Sequence, residues 1–210
     1  MTQNVSTAVM QRRVEAHDSL EDFPTPPWAT RAICERLAIS GFINFDMSCR
    51  EPCANRGYMV RPLLDYFSIV DASDVHDYGC GFPVADYLWG EDPEPIDWTF
   101  LNPPFRLAQQ FIQRAIRTSR AGVAAIVRCA FTEGGARYAD LFEPHPPSFV
   151  IQHCERVPMV KGRYDPKATT ATAYAWLVWM PGQTDTRFRW IAPSRKQFER
   201  AEDYLSEQAA

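Results

Sequence analysis

Histidine and glycine are sparse, long apolar runs are missing, and no cysteine pair stands at CxxC spacing. The four histidines are dispersed, so no metal-ligand cluster is legible, and His76, beside Asp74 and Asp77, reads as a loop residue rather than a ligand. The six cysteines (Cys34, Cys49, Cys53, Cys80, Cys129, Cys154) are spaced for neither a zinc knuckle nor a thioredoxin-type centre and are expected as buried, reduced thiols. No apolar run approaches the ~18 residues that cross a bilayer. Residues 1–20, "MTQNVSTAVMQRRVEAHDSL", carry neither a hydrophobic signal core nor a cleavage pattern. Together these predict a cytoplasmic protein without a membrane partner. A basic excess is also lacking: 22 Lys and Arg against 26 Asp and Glu leave a net charge of -4. That removes the global signature of nucleic-acid binding but not a local stripe, which suffices for phosphate contacts. Neither internal repeats nor low-complexity segments occur.

What remains is a chain of 210 residues, 46% hydrophobic, enough for one domain with a proper core. Residues 1–22 read as a frayed or docked arm, 23–192 as the main domain, and 193–210 as a charged C-terminal helix whose packing stripe is Phe198, Ala201 and Leu205. That helix docks on the domain or mediates a homodimer. Thr25 is placed to cap a helix whose first turn tolerates Pro26 and Pro27, with Ala29, Ile33 and Leu37 on its apolar face and Gly41 at its end. "DMSCRE" (46–51) reads as a weak strand, and Met59, Val60, Leu63, Leu64 and Phe67 as the apolar face of a helix. "SIVDASD" (68–74) reads as a buried strand and "DWTFL" (97–101) as another, followed by an amphipathic helix from Leu107. "GVAAIVR", "SFVIQHCERV" and "TATAYAWLVWM" supply further strands. In the last, Tyr174, Trp176 and Val178 form one face of a buried strand rather than a stacking platform. This alternation predicts an α/β, Rossmann-like domain: a mostly parallel twisted sheet, helices on both faces, and an antiparallel strand near the C-terminus.

In such sheets ligands lie beyond the carboxyl ends of the strands. "EPCANRG" (51–57) occupies that position after the first strand. Its lone Gly57 does not match GxGxxG, and Glu51 suits a ligand with an ammonium or sulfonium charge better than a phosphate. Asp74 stands at the end of the next strand, where a carboxylate accepts from ribose hydroxyls, and Asp86 precedes the apolar Tyr87 and Leu88. Then comes "FLNPPFRL" (100–107): an amide, two prolines and an aromatic directly after a hydrophobic run.

With Asn102-Pro103-Pro104-Phe105 the chain resembles the S-adenosylmethionine-dependent amino-methyltransferases, in particular the DNA adenine-N6 methyltransferases with their (D/N)PP(Y/F) hallmark. The resemblance covers roughly residues 23–180. "FPTP" (Phe23, Pro24, Thr25, Pro26) is similar to the motif that precedes the family's first core strand. Glu51, Pro52, Cys53, Ala54, Asn55 and Gly57 resemble its cofactor loop, and Asp74 with Val75, then Asp86 with Tyr87, its ribose and adenine contacts. The order of these motifs is similar to the gamma arrangement, and "VRCAFTEG", "ERVPMVKGR" and "TATAYAWLVW" look like segments of small phage or prophage-borne methyltransferases. One departure stands out: Asn55 occupies a position where the family's loop usually has glycine, and asparagine tolerates a left-handed backbone better than other non-glycine residues.

The resemblance implies S-adenosyl-L-methionine as cofactor, no metal, and DNA as partner, either duplex with a flipped adenine or single-stranded. The Asn102 side-chain oxygen and the Pro103 carbonyl would accept from an exocyclic amine while Phe105 stacks on its base. Arg156, Lys161, Arg163 and Lys167, with Tyr164 among them, form a short cationic segment that grips phosphates and stacks a base, or is simply a solvated loop. Three readings follow: adenine-N6 transfer to DNA, transfer to an RNA adenine or a protein glutamine amide, and a degenerate fold serving as a nucleic-acid-binding or assembly module.

Overall fold

A computed structural model describes residues 20–203. Thirteen residues, Pro27–Ile39, form α1. Pro27 opens the helix, its ring holding φ where the first turn needs it. The N-cap is Pro26 with no side-chain cap bond, so Thr25 does not cap, and its hydroxyl is buried without a partner. The helix ends in a Schellman motif: Gly41, at φ +74°, donates to the Ala38 carbonyl and Phe42 to that of Leu37.

Strand β1 (Ser48–Glu51), the single turn α2 (Val60–Leu63) and β2 (Ile69–Ala72) follow. Met59, Val60, Leu63 and Phe67 are buried as expected, but the helix is short and Leu64 is exposed. β2 is not the buried strand that its sequence suggests. It lies at the sheet edge with Ile69 exposed, because no helix covers it. Residues 73–95 then reach β3 (Ile96–Leu101) with no helix and one isolated bridge, Asp74 to Val84. Next come α3 (Ala108–Thr118) and β4 (Ser119–Arg128). A short α4 (Gly135–Arg137) precedes β5 (Phe149–His153), β6 (Tyr174–Trp179) and β7 (Arg187–Ile191).

The seven strands lie in the order β2-β1-β3-β4-β6-β5-β7. Only β6 runs against its neighbours, pairing antiparallel with both β4 and β5, while β7 pairs parallel with β5. Alternation along the strands feeds two cores. Trp98, Phe100, Ala124, Ile126, Trp176 and Val178 pack under α1 with Trp28, Ile33 and Leu37. Leu101, Val123, Ala125, Val127 and Leu177 pack under α3 with Phe111, Ile112 and Ala115. Tyr174 joins Trp176 and Val178 on the α1 face, as alternating spacing predicts. At the β3–β4 contact Gly122 lies opposite Trp98, and a Cβ there would come within 2.5 Å of the indole.

Within the described residues the expected C-terminal helix is interrupted. α5 covers Arg195–Phe198 alone, and the described residues up to Asp203 dock on α1. Arg31 fixes them, donating to the Phe198 carbonyl at 2.9 Å and to both oxygens of Asp203 at 2.8 and 2.9 Å. Ala201 is exposed, while Leu205 lies outside the described residues. The thiols are free, but only Cys34 and Cys49 are fully buried, and Cys80 and Cys154 are exposed. Among the described residues no helix is long and apolar enough to cross a membrane.

Candidate active site

The carboxyl ends of β1, β2 and β3 open into a cleft. Its walls bring together Phe23, Thr25, Pro52, Cys53, Ala54, Asn55, Asp74, Val75, Tyr87 and Asn102, residues scattered over five segments of sequence. Leu20, Glu21, Asp22, Tyr58, Met59, Tyr78 and Phe111 also line it and were not anticipated.

The loop after β1 is set by Asn55, which adopts φ +51°. Its backbone N–H donates to Asp74 Oδ2 at 2.9 Å, while Asp74 Oδ1 accepts from His76 N–H at 3.0 Å. With Val75 N–H a third donor, the Asp74 carboxylate keeps acceptor capacity for one ligand hydroxyl. Burial raises the Asp74 carboxyl, and hydrogen bonds from Asn55, His76 and Val75 pull the other way. Glu51 lies beneath the loop, fully buried and not on the cleft wall. One of its oxygens accepts from Cys53 N–H at 3.0 Å; the other has no partner. Burial, reinforced by the charge of Asp74, pushes the Glu51 carboxyl well above the ordinary range. One Glu51 oxygen, under the loop, and the Thr25 hydroxyl, on a cleft residue, are thus buried polar atoms without a partner.

Opposite, Tyr87 is fixed by α3: its hydroxyl lies 3.3 Å from Thr118 Oγ1 and its ring 5.3 Å from that of Phe111. Asp86 stays outside the cleft, exposed, with Oδ1 accepting from Leu88 N–H. Gly57 (φ +79°) and Pro26 also stand behind the walls. A side chain on Gly57 would press on Phe82 at 3.0 Å.

The Asn102–Phe105 turn is gripped by the arm. Asn102 Nδ2 donates to the Phe23 carbonyl at 2.7 Å. Only the amide nitrogen can face a carbonyl, so Oδ1 is left to accept. Glu21, at φ +51° with its carboxylate nearly buried, accepts from Phe105 N–H at 2.5 Å and from Arg106 Nε at 2.8 Å. Between them Asp22 accepts from Asn55 Nδ2 (2.6 Å) and Arg56 (2.9 Å), and its carbonyl accepts from Gly162 N–H (2.8 Å). Residues 21–23 thus strap the cofactor-type loop, the proline turn and the cationic segment together. Pro103 is buried, Pro104 lines the cleft, and Phe105 stands beside it, its ring 5.6 Å from Phe23.

Arg156, Lys161, Arg163 and Lys167 are exposed at this same edge, Arg163 pairing with Asp165 at 3.2 Å. Tyr164 does not stand among them as a stacking surface. It is buried edge-on to Tyr58, its hydroxyl donating to Glu199 at 3.1 Å. Among the described residues no group of three or more His, Cys, Asp or Glu is placed to hold a metal ion.

No sequence-family description and no curated protein sequence matches this chain. Solved structures do. A protein assigned as a class I S-adenosylmethionine-dependent methyltransferase from Listeria monocytogenes is 12% identical, with a TM-score of 0.62 over 91% of this chain and 71% of its own. The type I restriction-modification methyltransferase subunit from Streptococcus thermophilus is 13% identical, with a TM-score of 0.61 over 80% of this chain and 47% of its own, so the present chain spans about half of that subunit. A protein assigned as an RNA methyltransferase from Pyrococcus horikoshii is 15% identical, with a TM-score of 0.57 over 82% and 96%. The fold is that of the Rossmann-like class I methyltransferases.

Proposed function

We propose that this chain is an S-adenosylmethionine-dependent methyltransferase acting on the exocyclic N6 amine of adenine in DNA. The observation that carries the reading is the Asn102–Phe23 bond, which engages the amide nitrogen of an NPPF tetrapeptide and leaves its oxygen free to accept, on a residue that lines the cleft. The similarity of fold to a restriction-modification subunit supports it.

The cofactor supplies an electrophilic methyl group on a sulfonium. Thr25 would meet its amino-acid end, with the buried Glu51 carboxyl beneath the adjoining loop adding acidic character there, Asp74 would meet its ribose, and Tyr87 and Val75 would flank its base. Asn102 Oδ1 and the Pro103 carbonyl accept the two amine hydrogens, which draws the nitrogen lone pair out of ring conjugation as the methyl arrives. The prolines hold both acceptors in place. Asn102 is neutral and takes no proton; the proton released after transfer goes to solvent. Asn55 in place of glycine supports activity rather than degeneration of the fold, because the left-handed turn is kept at φ +51°.

The test is incubation with radiolabelled S-adenosylmethionine and DNA, RNA or protein in separate reactions, with mass analysis of the nucleosides. N6-methyladenine in DNA is the expected product. Label in RNA or protein alone would replace DNA as substrate, and absence of cofactor binding by calorimetry would favour a degenerate binding module.

A further inference from the structure

The acceptor pair does not account for Arg128. This residue ends β4, whose parallel neighbour β3 leads into the NPPF turn, so both stand at one edge of the sheet. The Arg128 guanidinium carbon lies 3.8 Å from the centroid of the Phe105 ring, a stacking distance. Nearby arginines have acid partners: Arg106 has Glu21 and Arg56 has Asp22. Among the described residues Arg128 has no ion pair, and its Nε is buried without a hydrogen-bond partner. A planar, permanently charged fork is therefore held against an aromatic face with its donors uncommitted.

At 3.8 Å nothing fits between the guanidinium and the ring, so the guanidinium fills the space a planar base would need to stack on Phe105. We propose that Arg128 is the substrate-positioning residue of this site: it covers Phe105 in the free protein, yields that face to the target base, and turns its fork to a neighbouring phosphate. Arg156 continues the path. It is exposed and lines one surface depression with Cys129, the residue after Arg128. This inference rests on the methyltransferase reading above and narrows its substrate to a planar group carried on an anionic chain. A nucleic-acid adenine meets both conditions; a glutamine amide in protein has no phosphate to receive the displaced fork.

The test measures binding of fluorescein-labelled oligodeoxyadenylate and oligoriboadenylate to the full chain, with S-adenosylhomocysteine present, by anisotropy between about 50 and about 200 mM salt. Arg128→Gln is expected to weaken binding about tenfold and to lower the slope of log affinity against log salt by about 0.7, the signature of one lost single-strand phosphate contact. Arg128→Lys is expected to keep the wild-type slope while losing part of the affinity, since it keeps charge but not the planar fork. Where the glutamine variant does not fold, Arg128→Met, which keeps an apolar stem, takes its place. A lowered melting temperature with unchanged slope and affinity would make Arg128 a packing residue and overturn this proposal alone. Wild-type protein that binds neither oligonucleotide would overturn the nucleic-acid reading with it.

Discussion

The side-chain amide of Asn102 and the backbone carbonyl of Phe23, separated by 79 positions in the chain, meet at 2.7 Å. That bond decides which atom of the amide is left to act. A side chain free to rotate would present N–H or oxygen alike, whereas here the nitrogen is engaged and Oδ1 is the acceptor left. Asn102→Ala is expected to lower kcat at least about 100-fold, the usual cost of removing one preorganised transition-state contact. The cofactor Kd should stay within about threefold, because Asn102 is one of many wall residues. Single-turnover rates beside calorimetric titration check both halves, and wild-type turnover by the variant would remove Asn102 from its assigned role.

Glu21 is nearly buried and serves two donors on the proline turn. Glu21→Ala leaves the Phe105 N–H without its acceptor and Arg106 without its partner. Urea denaturation is expected to show a loss of about 1–3 kcal/mol, and turnover should fall further than cofactor affinity does. Equal effects on the two would mean that the strap serves cofactor binding alone.

Glu51 predicts a pH dependence with a definite sign. Its folded carboxyl is raised above the ordinary 4.5 by burial first and Asp74 second. The folded state thus holds a proton that the unfolded state releases, and stability from this group is present below pH 4.5 and lost as pH rises through the folded value. Asp74, also raised, acts in the same direction. Glu51→Gln mimics the protonated acid, so the ligand-free variant should be more stable than wild type at neutral pH and flatter in its pH profile. Where a ligand ammonium draws the proton off Glu51 on binding, the variant should also bind S-adenosylmethionine about tenfold more weakly, because glutamine cannot ionise. Thermal melts from acid to neutral pH, with and without cofactor, separate the two effects.

Gly122 predicts a purely structural lesion far from the cleft. Its missing side chain is the space that the Trp98 ring fills. Gly122→Ala is expected to cost about 1–3 kcal/mol by overpacking, with Trp98 fluorescence shifted and cofactor affinity per folded molecule unchanged. Gly122→Ala combined with Trp98→Phe should recover part of the loss.

Much of this was legible locally. Apolar alternation located β3, β4 and β6, the spacing of Phe111, Ile112 and Ala115 located α3, and the tolerance of asparagine for left-handed backbone anticipated Asn55. What escaped depends on neighbours rather than composition. "SIVDASD" is apolar enough for a core strand, yet β2 is an edge because no helix forms between residues 73 and 95 to cover it. Tyr164 looked like a stacking residue among cations until Tyr58 and Glu199 claimed it. Glu21 and Asp22 read as two acids in an arm, and their bonds to segments 84 and 33 residues away leave no periodic trace. Tyr78 sits in a glycine-punctuated loop, and that was its only local sign.

The reversed direction of β6 has one further consequence. Because β5 ends, and β6 begins, at the edge of the sheet that carries the cleft, residues 154–173 leave and re-enter the sheet without crossing it. The segment is anchored at both ends by a ladder, held midway by the Asp22–Gly162 bond and pinned by buried Val157, Met159 and Tyr164, so it is the stretch after Tyr164 whose length can vary while the cleft beside it stays still. Doubling such a loop costs only about 0.6 kcal/mol in closure entropy. Here the fold offers an insertion point beside the cleft at which the surface can be altered by descent or by grafting, with the strand ends that carry the cleft unchanged.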